Sequence, residues 1–315
     1  MNDAPIFLRP IFKEAIWGGS NLNKVFKYNI PSDSTSECWG IAAHKNGDCI
    51  IENGEYEGRT LSDLWKNNRE LFNNSTADRF PYLIKILDAN KNLSVQVHPD
   101  SDYAKINENG EYGKYECWYI LDCEPNTKLI LGHNCNSKED LIKSIEDNLW
   151  DDILREVDIK AGDFILIPPG TIHALKGGTL ALEIQQNSDL TYRLFDYNRK
   201  DKSGNLRELH LKKALDVIRV PFEPSYIDER DILKKNISIA QYVNSDIFKI
   251  EKWSLKGQSD FENKSYILIA VIDGQGQVIY GNNMVNFSKG QYFIIPSGLK
   301  NFSLNGESEL MVCMP

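Results

Sequence analysis

Apolar and polar residues alternate along much of the chain with the period of a β-strand. Leu93, Val95 and Val97 alternate with Ser94, Gln96 and His98, which predicts a strand with one apolar and one polar face. The run Ile84, Ile86 and Leu87 precedes it, across a turn at Asn90–Asn92. Further strands are predicted at Cys117–Leu121, Leu129–Leu131, Phe164–Ile167 and Leu180–Gln185. A late group covers Lys249–Leu255, Ser265–Ile272, Gln277–Tyr280 and Tyr292–Ile295, with turns at Asp273–Gly276 and Gly281–Asn283 between its members. Many short strands at regular spacing predict a barrel or a sandwich.

Three segments change period and predict helices. Thr60 is an N-cap with Asp63 three residues on, and Leu61, Leu64, Trp65 and Phe72 share a face. A longer helix is expected from Ser137, carrying Leu141, Ile142, Ile145, Leu149 and Ile153. A third, near Glu208–Ile218, places Leu211, Ala214, Leu215 and Ile218 on one side. The fold class is therefore mainly β with helical insertions.

Residues 162–173 read GDFILIPPGTIH and residues 290–301 read GQYFIIPSGLKN. The first Gly, the aromatic, the apolar triplet, the Pro and the second Gly recur at the same offsets. This predicts two copies of one β-barrel unit, the alternative being chance likeness between two strand–turn units. The expected division is 1–235, a unit with helical insertions, and 236–315, a degenerate second copy. Where the first copy has His173 the second has Asn301, so metal or proton chemistry is expected in the first only.

Composition narrows the partners. At 315 residues the prior is roughly two domains. Basic residues number 36 against 45 acidic, a net charge of -9, which disfavours coating by nucleic acid or an anionic membrane. No stretch reaches the length of an apolar membrane span, and the first residues lack the pattern of a signal peptide. The six cysteines, Cys38, Cys49, Cys117, Cys123, Cys135 and Cys313, form no C-x-x-C pair and read as buried free thiols in a reducing cytosol. A cytoplasmic protein is expected.

The candidate chemistry lies on the polar face of the first strands. Gln96 and His98 leave the same side of SVQVH, Glu116 precedes CWYIL, and His173 follows a Pro-Pro-Gly turn. These nitrogen and oxygen donors suit zinc and, less selectively, manganese, iron or nickel, with positions left for water or substrate. Taken singly, each has a plainer reading: a packed histidine, or a solvated glutamate. His44, His133 and His210 keep that reading, with His210 expected exposed on its helix. Lys114, two before Glu116, reads by itself as a solvated loop lysine. Glu183 reads as a polar strand residue. Arg193, in DLTYRLFDYNR, reads as the structural partner of Asp196 or as a group for a phosphate or an oxygen.

In order, SVQVHPD, GKYECWYIL, IPPGTIHAL and EIQQNSDLTYRLFDYNR resemble type I mannose-6-phosphate isomerase (phosphomannose isomerase), in its short bacterial form. FLRPIFKEAIWGGSNL and SECWGIAAHKNG are similar to its N-terminal segments, so the resemblance runs from about Pro5 to the end. It implies cupin-type double-stranded β-helix (jelly-roll) barrels in two copies, and one Zn2+ per chain held by Gln96, His98, Glu116 and His173. It also implies functional roles for Lys114, Arg193 and Glu183. The reaction implied is the interconversion of mannose 6-phosphate and fructose 6-phosphate through a cis-enediol. Lys85, in PYLIKILDA, is expected to point into the same cavity and to help neutralise the phosphosugar. The larger members' helical insertion is missing, so their phosphate-binding residues are not carried over. A phosphosugar substrate and a monomer are expected, with neither nucleic acid nor membrane. The competing readings are an isomerase of free mannose, a non-enzymatic sugar-binding cupin and a cupin dioxygenase.

Overall fold

The structure is a computed structural model that describes residues 4–200, 203–227 and 229–315. Two antiparallel sheets enclose the first barrel. The six-stranded sheet runs Phe164–Ile167, Glu116–Cys123, Thr179–Gln186, Tyr82–Ala89, Thr35–Ile41 and Ile11–Gly19. The five-stranded sheet facing it runs Leu154–Asp158, Lys128–His133, His173–Leu175, Val95–Val97 and Tyr192–Phe195. Leu87, Trp118, Ile120, Leu129, Ile167, Leu175 and Ala181, drawn from both sheets, fill the space between them.

The alternation in SVQVH acquires its meaning here. Its apolar face, Val95 and Val97, packs outward under Leu141, Ile145, Trp150 and Ala214 of the helices. Its polar face is therefore left for the barrel interior. The usual arrangement of apolar inside and polar outside is inverted, because helices cover the outer surface of this sheet.

A nine-stranded sheet forms the second barrel, with Lys249–Glu262, Asn301–Met314 and Ile267–Tyr280 as neighbouring strands of 14 residues each. Phe287, Phe293, Leu304 and Val312 fill its interior. Its outer face, with Leu268, Ile294 and Met311, packs against Ile84, Ile86 and Leu182 on the outer face of the six-stranded sheet. The strand Ile6–Arg9 joins this second sheet, pairing Phe7 with Phe293. The mainly β class and the cupin-type barrels are observed as expected.

Several element boundaries are corrected. The expected turn at Asp273–Gly276 is a bulge between Val271 and Asp273 inside one continuous strand. The expected long helix from Ser137 is two: Lys138–Glu146, capped by Ser137 Oγ at 3.1 Å from the Asp140 N–H, then Trp150–Ile153. Asn148, at φ 58°, breaks them apart, and Leu149 faces solvent instead of the core. The helix expected near Glu208–Ile218 spans Leu211–Val217. His210 is its half-buried N-cap residue, and its Nδ1 accepts the Arg193 N–H at 3.1 Å. His133 and His44 are buried, and His133 Nε2 donates to the Arg219 carbonyl at 2.9 Å.

A buried carboxylate, lysine and histidine cluster inside the first barrel

Strand register assembles the candidate site as facing rows. In the five-stranded sheet, His173 lies opposite Leu131 on one side and Gln96 on the other, and Gln96 lies opposite Arg193. In the six-stranded sheet, Trp39, Lys85, Glu183, Trp118 and Ile165 form a continuous cross-strand row. Glu116 stands in the next row, opposite Gln185 and Ile167. A barrel that turns both rows inward brings groups from distant parts of the chain into one cavity.

Glu116, His98 and His173 are essentially unexposed. One ligand atom from each lies within 4.8 Å of the others. Glu116 Oε1 is 3.0 Å from His173 Nε2 and 3.6 Å from His98 Nε2. His173 Nδ1 is 2.9 Å from the Thr171 carbonyl oxygen, which can only accept, so Nδ1 carries the proton. In the neutral ring, Nε2 then aims a lone pair at a carboxylate oxygen. Two imidazoles and one buried carboxylate converging on one point form a donor set that fits a borderline divalent metal. The Gln96 amide, 3.3 Å from His173 Nε2, stands at the edge of the same point.

The lysines complete the cluster. Lys114 Nζ lies 2.8 Å from Glu116 Oε2, 3.2 Å from Glu183 Oε1 and 3.3 Å from His98 Nε2. Lys85 Nζ lies 3.4 Å from Glu183 Oε1 and 3.2 Å from Glu37 Oε2. Burial pulls both ammonium groups down. For Lys114 the carboxylates of Glu116 and Glu183, and for Lys85 those of Glu183 and Glu37, outweigh this and hold each above the ordinary lysine value. Burial raises Glu116, but Lys114 and the two imidazoles hold it well below the carboxylate range. Burial and the neighbouring Glu116 charge raise Glu183 despite Lys114 and Lys85. Burial and the Lys114 charge push His98 well down, keeping it neutral. Glu183 is thus the carboxylate nearest to accepting a proton.

Two single-residue readings are corrected. Lys114 is not a solvated loop lysine: it is 5 % exposed and ion-paired inside the barrel. Arg193 is not the partner of Asp196. Asp196 is held by Arg199 and Arg207, whereas Arg193 Nε donates to Ser94 Oγ at 3.3 Å and Nη1 to the Glu208 carbonyl at 2.8 Å. Glu37, Trp39 and Trp118 belong to the cluster and were not among the candidates. Trp39 Nε1–H donates to Glu37 Oε2 at 2.7 Å, and Trp118 Nε1–H to Glu183 Oε2 at 3.1 Å. The available signal was the i, i+2 spacing in Glu37-Cys-Trp39 and Glu116-Cys-Trp118, which puts an indole beside a carboxylate on one strand face. In the second barrel, Asn301 opens a strand opposite Glu262 and is exposed.

Fold and cluster together define a double-barrel cupin protein with a buried candidate metal centre. A model of the phosphomannose isomerase type I catalytic domain matches residues 6–119, and one of the mannose-6-phosphate isomerase cupin domain matches residues 238–315. The chain is 49% identical over 313 residues to mannose-6-phosphate isomerase ManA of Bacillus subtilis, covering 99% of each chain. It is 40% identical over 308 residues to mannose-6-phosphate isomerase of Streptococcus mutans, covering 98% of this chain and 97% of that one. The crystal structure of the mannose 6-phosphate isomerase from Bacillus subtilis has a TM-score of 0.97 at 44% identity, covering 99% of this chain and 100% of that one. A variant of phosphomannose isomerase from Salmonella typhimurium shares the fold alone, with a TM-score of 0.78 at 16% identity over 98% of each chain. The chain belongs to the type I phosphomannose isomerases.

Proposed function

We propose that the chain interconverts D-mannose 6-phosphate and D-fructose 6-phosphate through a cis-enediol, with one zinc ion held by His98, Glu116, His173 and Gln96. The observation that carries this reading is the buried cluster itself, in which a candidate metal triad touches a network of paired lysines and carboxylates. A divalent ion there supplies Lewis-acid polarisation of sugar oxygens. The chain's own groups supply the rest. Aldose–ketose isomerisation moves a proton between neighbouring carbons, and of the two candidates, Glu183 and Lys114, the raised carboxyl of Glu183 suits that task better than the ammonium of Lys114. Lys114 is held as an ammonium, which suits it to donate to a developing oxyanion. Arg193 stays charged and acts electrostatically on the enediolate or the phosphate. Arg199 and Arg207 share the single carboxylate of Asp196, and Arg207 adds to burial in lowering the Arg193 pKa. That local excess of positive charge suits a dianionic phosphate, whereas Lys85, on the opposite sheet, is ion-paired with Glu183 and Glu37 and would meet the substrate only as part of that network. Six free cysteines support a reducing compartment for this chemistry. Among the described residues, no helix is long and apolar enough to cross a membrane.

The test is a coupled assay on metal-quantified protein, offered mannose 6-phosphate and free mannose side by side, before and after chelation. The expected result is turnover of the phosphorylated sugar that chelation abolishes and zinc restores. Equal turnover of free mannose would remove the phosphate from the reading. Metal-dependent sugar binding without turnover would make the chain a binding module.

A further inference from the structure

Trp118 has no exposed surface and sits on the strand face of Glu116, directly across from Glu183. Its indole makes two directed contacts. The Nε1–H donates to Glu183 Oε2 at 3.1 Å, and the ring meets the His173 imidazole edge-on, with centroids 5.4 Å apart and planes at 74°. Glu183 therefore has a divided task. One oxygen is bound by the indole, and the other stands 3.2 Å from Lys114 and 3.4 Å from Lys85.

We propose that Trp118 is a positioning residue for the isomerase reaction: its N–H fixes the Glu183 carboxylate, and so the two lysines it holds, while its ring packs roughly perpendicular to His173 and fixes that imidazole. The proposal rests on the isomerase reading above and goes beyond it. Lys114 and Glu116 join the two halves of the cluster through charge, and the indole is a neutral group that also touches both, the carboxylate–lysine network at Glu183 and the candidate metal triad at His173. The row it belongs to repeats the device. Trp39 Nε1–H binds Glu37 Oε2 at 2.7 Å, so each carboxylate flanking Lys85 is held by an indole N–H. Glu183 Oε2 deprived of its indole donor loses that directed hydrogen bond. The carboxylate would be free to rotate and give both oxygens to the lysines, which moves Lys114 relative to Glu116. Trp118 acts through Glu183 and His173, groups proposed to work on the reacting atoms and not on the phosphate, so the effect should fall on turnover more than on affinity.

Trp118 also fills the barrel interior, and the experiment separates that packing role. Site-specific replacement by 3-benzothienylalanine keeps the bicyclic shape and substitutes sulfur for N–H. Trp118→Phe is the second variant. Both are assayed with mannose 6-phosphate, and metal content and thermal midpoint are measured on the same preparations. The expected result for the isostere is a fall in kcat on the order of ten-fold, with KM within about two-fold of wild type and metal content and midpoint unchanged. Wild-type kcat in the isostere, with loss confined to the stability of Trp118→Phe, would mean that the indole only packs and would overturn the proposal. A kcat held constant with a raised KM would overturn it as well. Absence of turnover in the wild type itself would overturn the isomerase reading and take this role with it, a pattern distinct from an active parent with an indifferent isostere.

Discussion

Inside the first barrel Lys85, Lys114, Glu116 and Glu183 are buried as two cations and two anions, each within 3.4 Å of an opposite charge. Such a cluster is expensive to desolvate and is tolerated only when every member is paired. Arg193 stands outside this balance. Asp196 keeps Arg199 and Arg207 whether or not Arg193 is present, so removing Arg193 strands no buried carboxylate. Arg193→Ala should therefore retain metal content and lose little stability, while kcat for mannose 6-phosphate falls by roughly a hundred-fold or more, the scale of losing one preorganised electrostatic contact. A variant that melts early but turns over normally once folded would assign Arg193 to structure. At this scale the sequence was only partly legible. His98, Glu116 and His173 were readable because donor types and strand ends coincide in them. Lys114 was not, since the residues around it carry no mark of burial. Its setting is decided jointly by Glu116, two positions on, and by Glu183, which is 69 positions away in sequence.

Elements were read best where local chemistry alone determines them. Thr60 caps Leu61–Asn67 through its hydroxyl, which accepts the Asp63 N–H at 3.3 Å, as the spacing of the two residues implies. The helix then buries Leu61, Leu64 and Trp65. Thr60→Ala should cost about 1 kcal/mol, seen as a lower denaturant midpoint at unchanged slope. No change would mean that packing of the buried face alone sustains this helix. Elements were misread where tertiary pairing overrides a local signal. Asp273-Gly-Gln-Gly276 has turn chemistry, yet its neighbours Glu307, Ser308 and Gly306 hold it in the ladder. Gly276 and Gly257 both lie opposite Gly306, in three adjacent strands. A Cβ on Gly276 would meet the Asn305 carbonyl oxygen at 2.6 Å and the Phe287 ring at 2.6 Å, so these glycines permit close strand passage rather than a reversal. The apparent long helix after Ser137 failed for the opposite reason: Leu149 continues the apolar period but follows a residue at positive φ.

At the scale of the molecule, we propose the division of the chain into 1–235 and 236–315 as two units of one design, and their sheets interlock. Ile6, Phe7 and Leu8 are all buried, and their strand pairs with Tyr292, Phe293 and Ile294 on one side and with Ile50 and Ile51 on the other. The strand Ile6–Arg9 thus extends the sheet formed by the last strands, with Ile50–Ile51 beyond it. This pairing was invisible in the sequence, because nothing in FLR names a partner some 285 residues away. The site strands, by contrast, draw their register from one another, through pairs such as Glu183 with Lys85 and His173 with Gln96. Deleting residues 1–9 should then act unevenly. Exposure of the apolar surface that Ile6, Phe7 and Leu8 cover should cost several kcal/mol, at about 2 kcal/mol for each buried side chain. The loss should be concentrated where the strand was paired. In amide hydrogen exchange, Tyr292–Ile295 and Ile50–Ile51 should lose protection by orders of magnitude, while Thr179–Gln186 and Tyr82–Ala89 keep more of theirs. Uniform loss over both barrels would show instead that the back-to-back packing of the two sheets makes the chain one cooperative unit. In that case the candidate site would depend on the N-terminal strand as much as on its own.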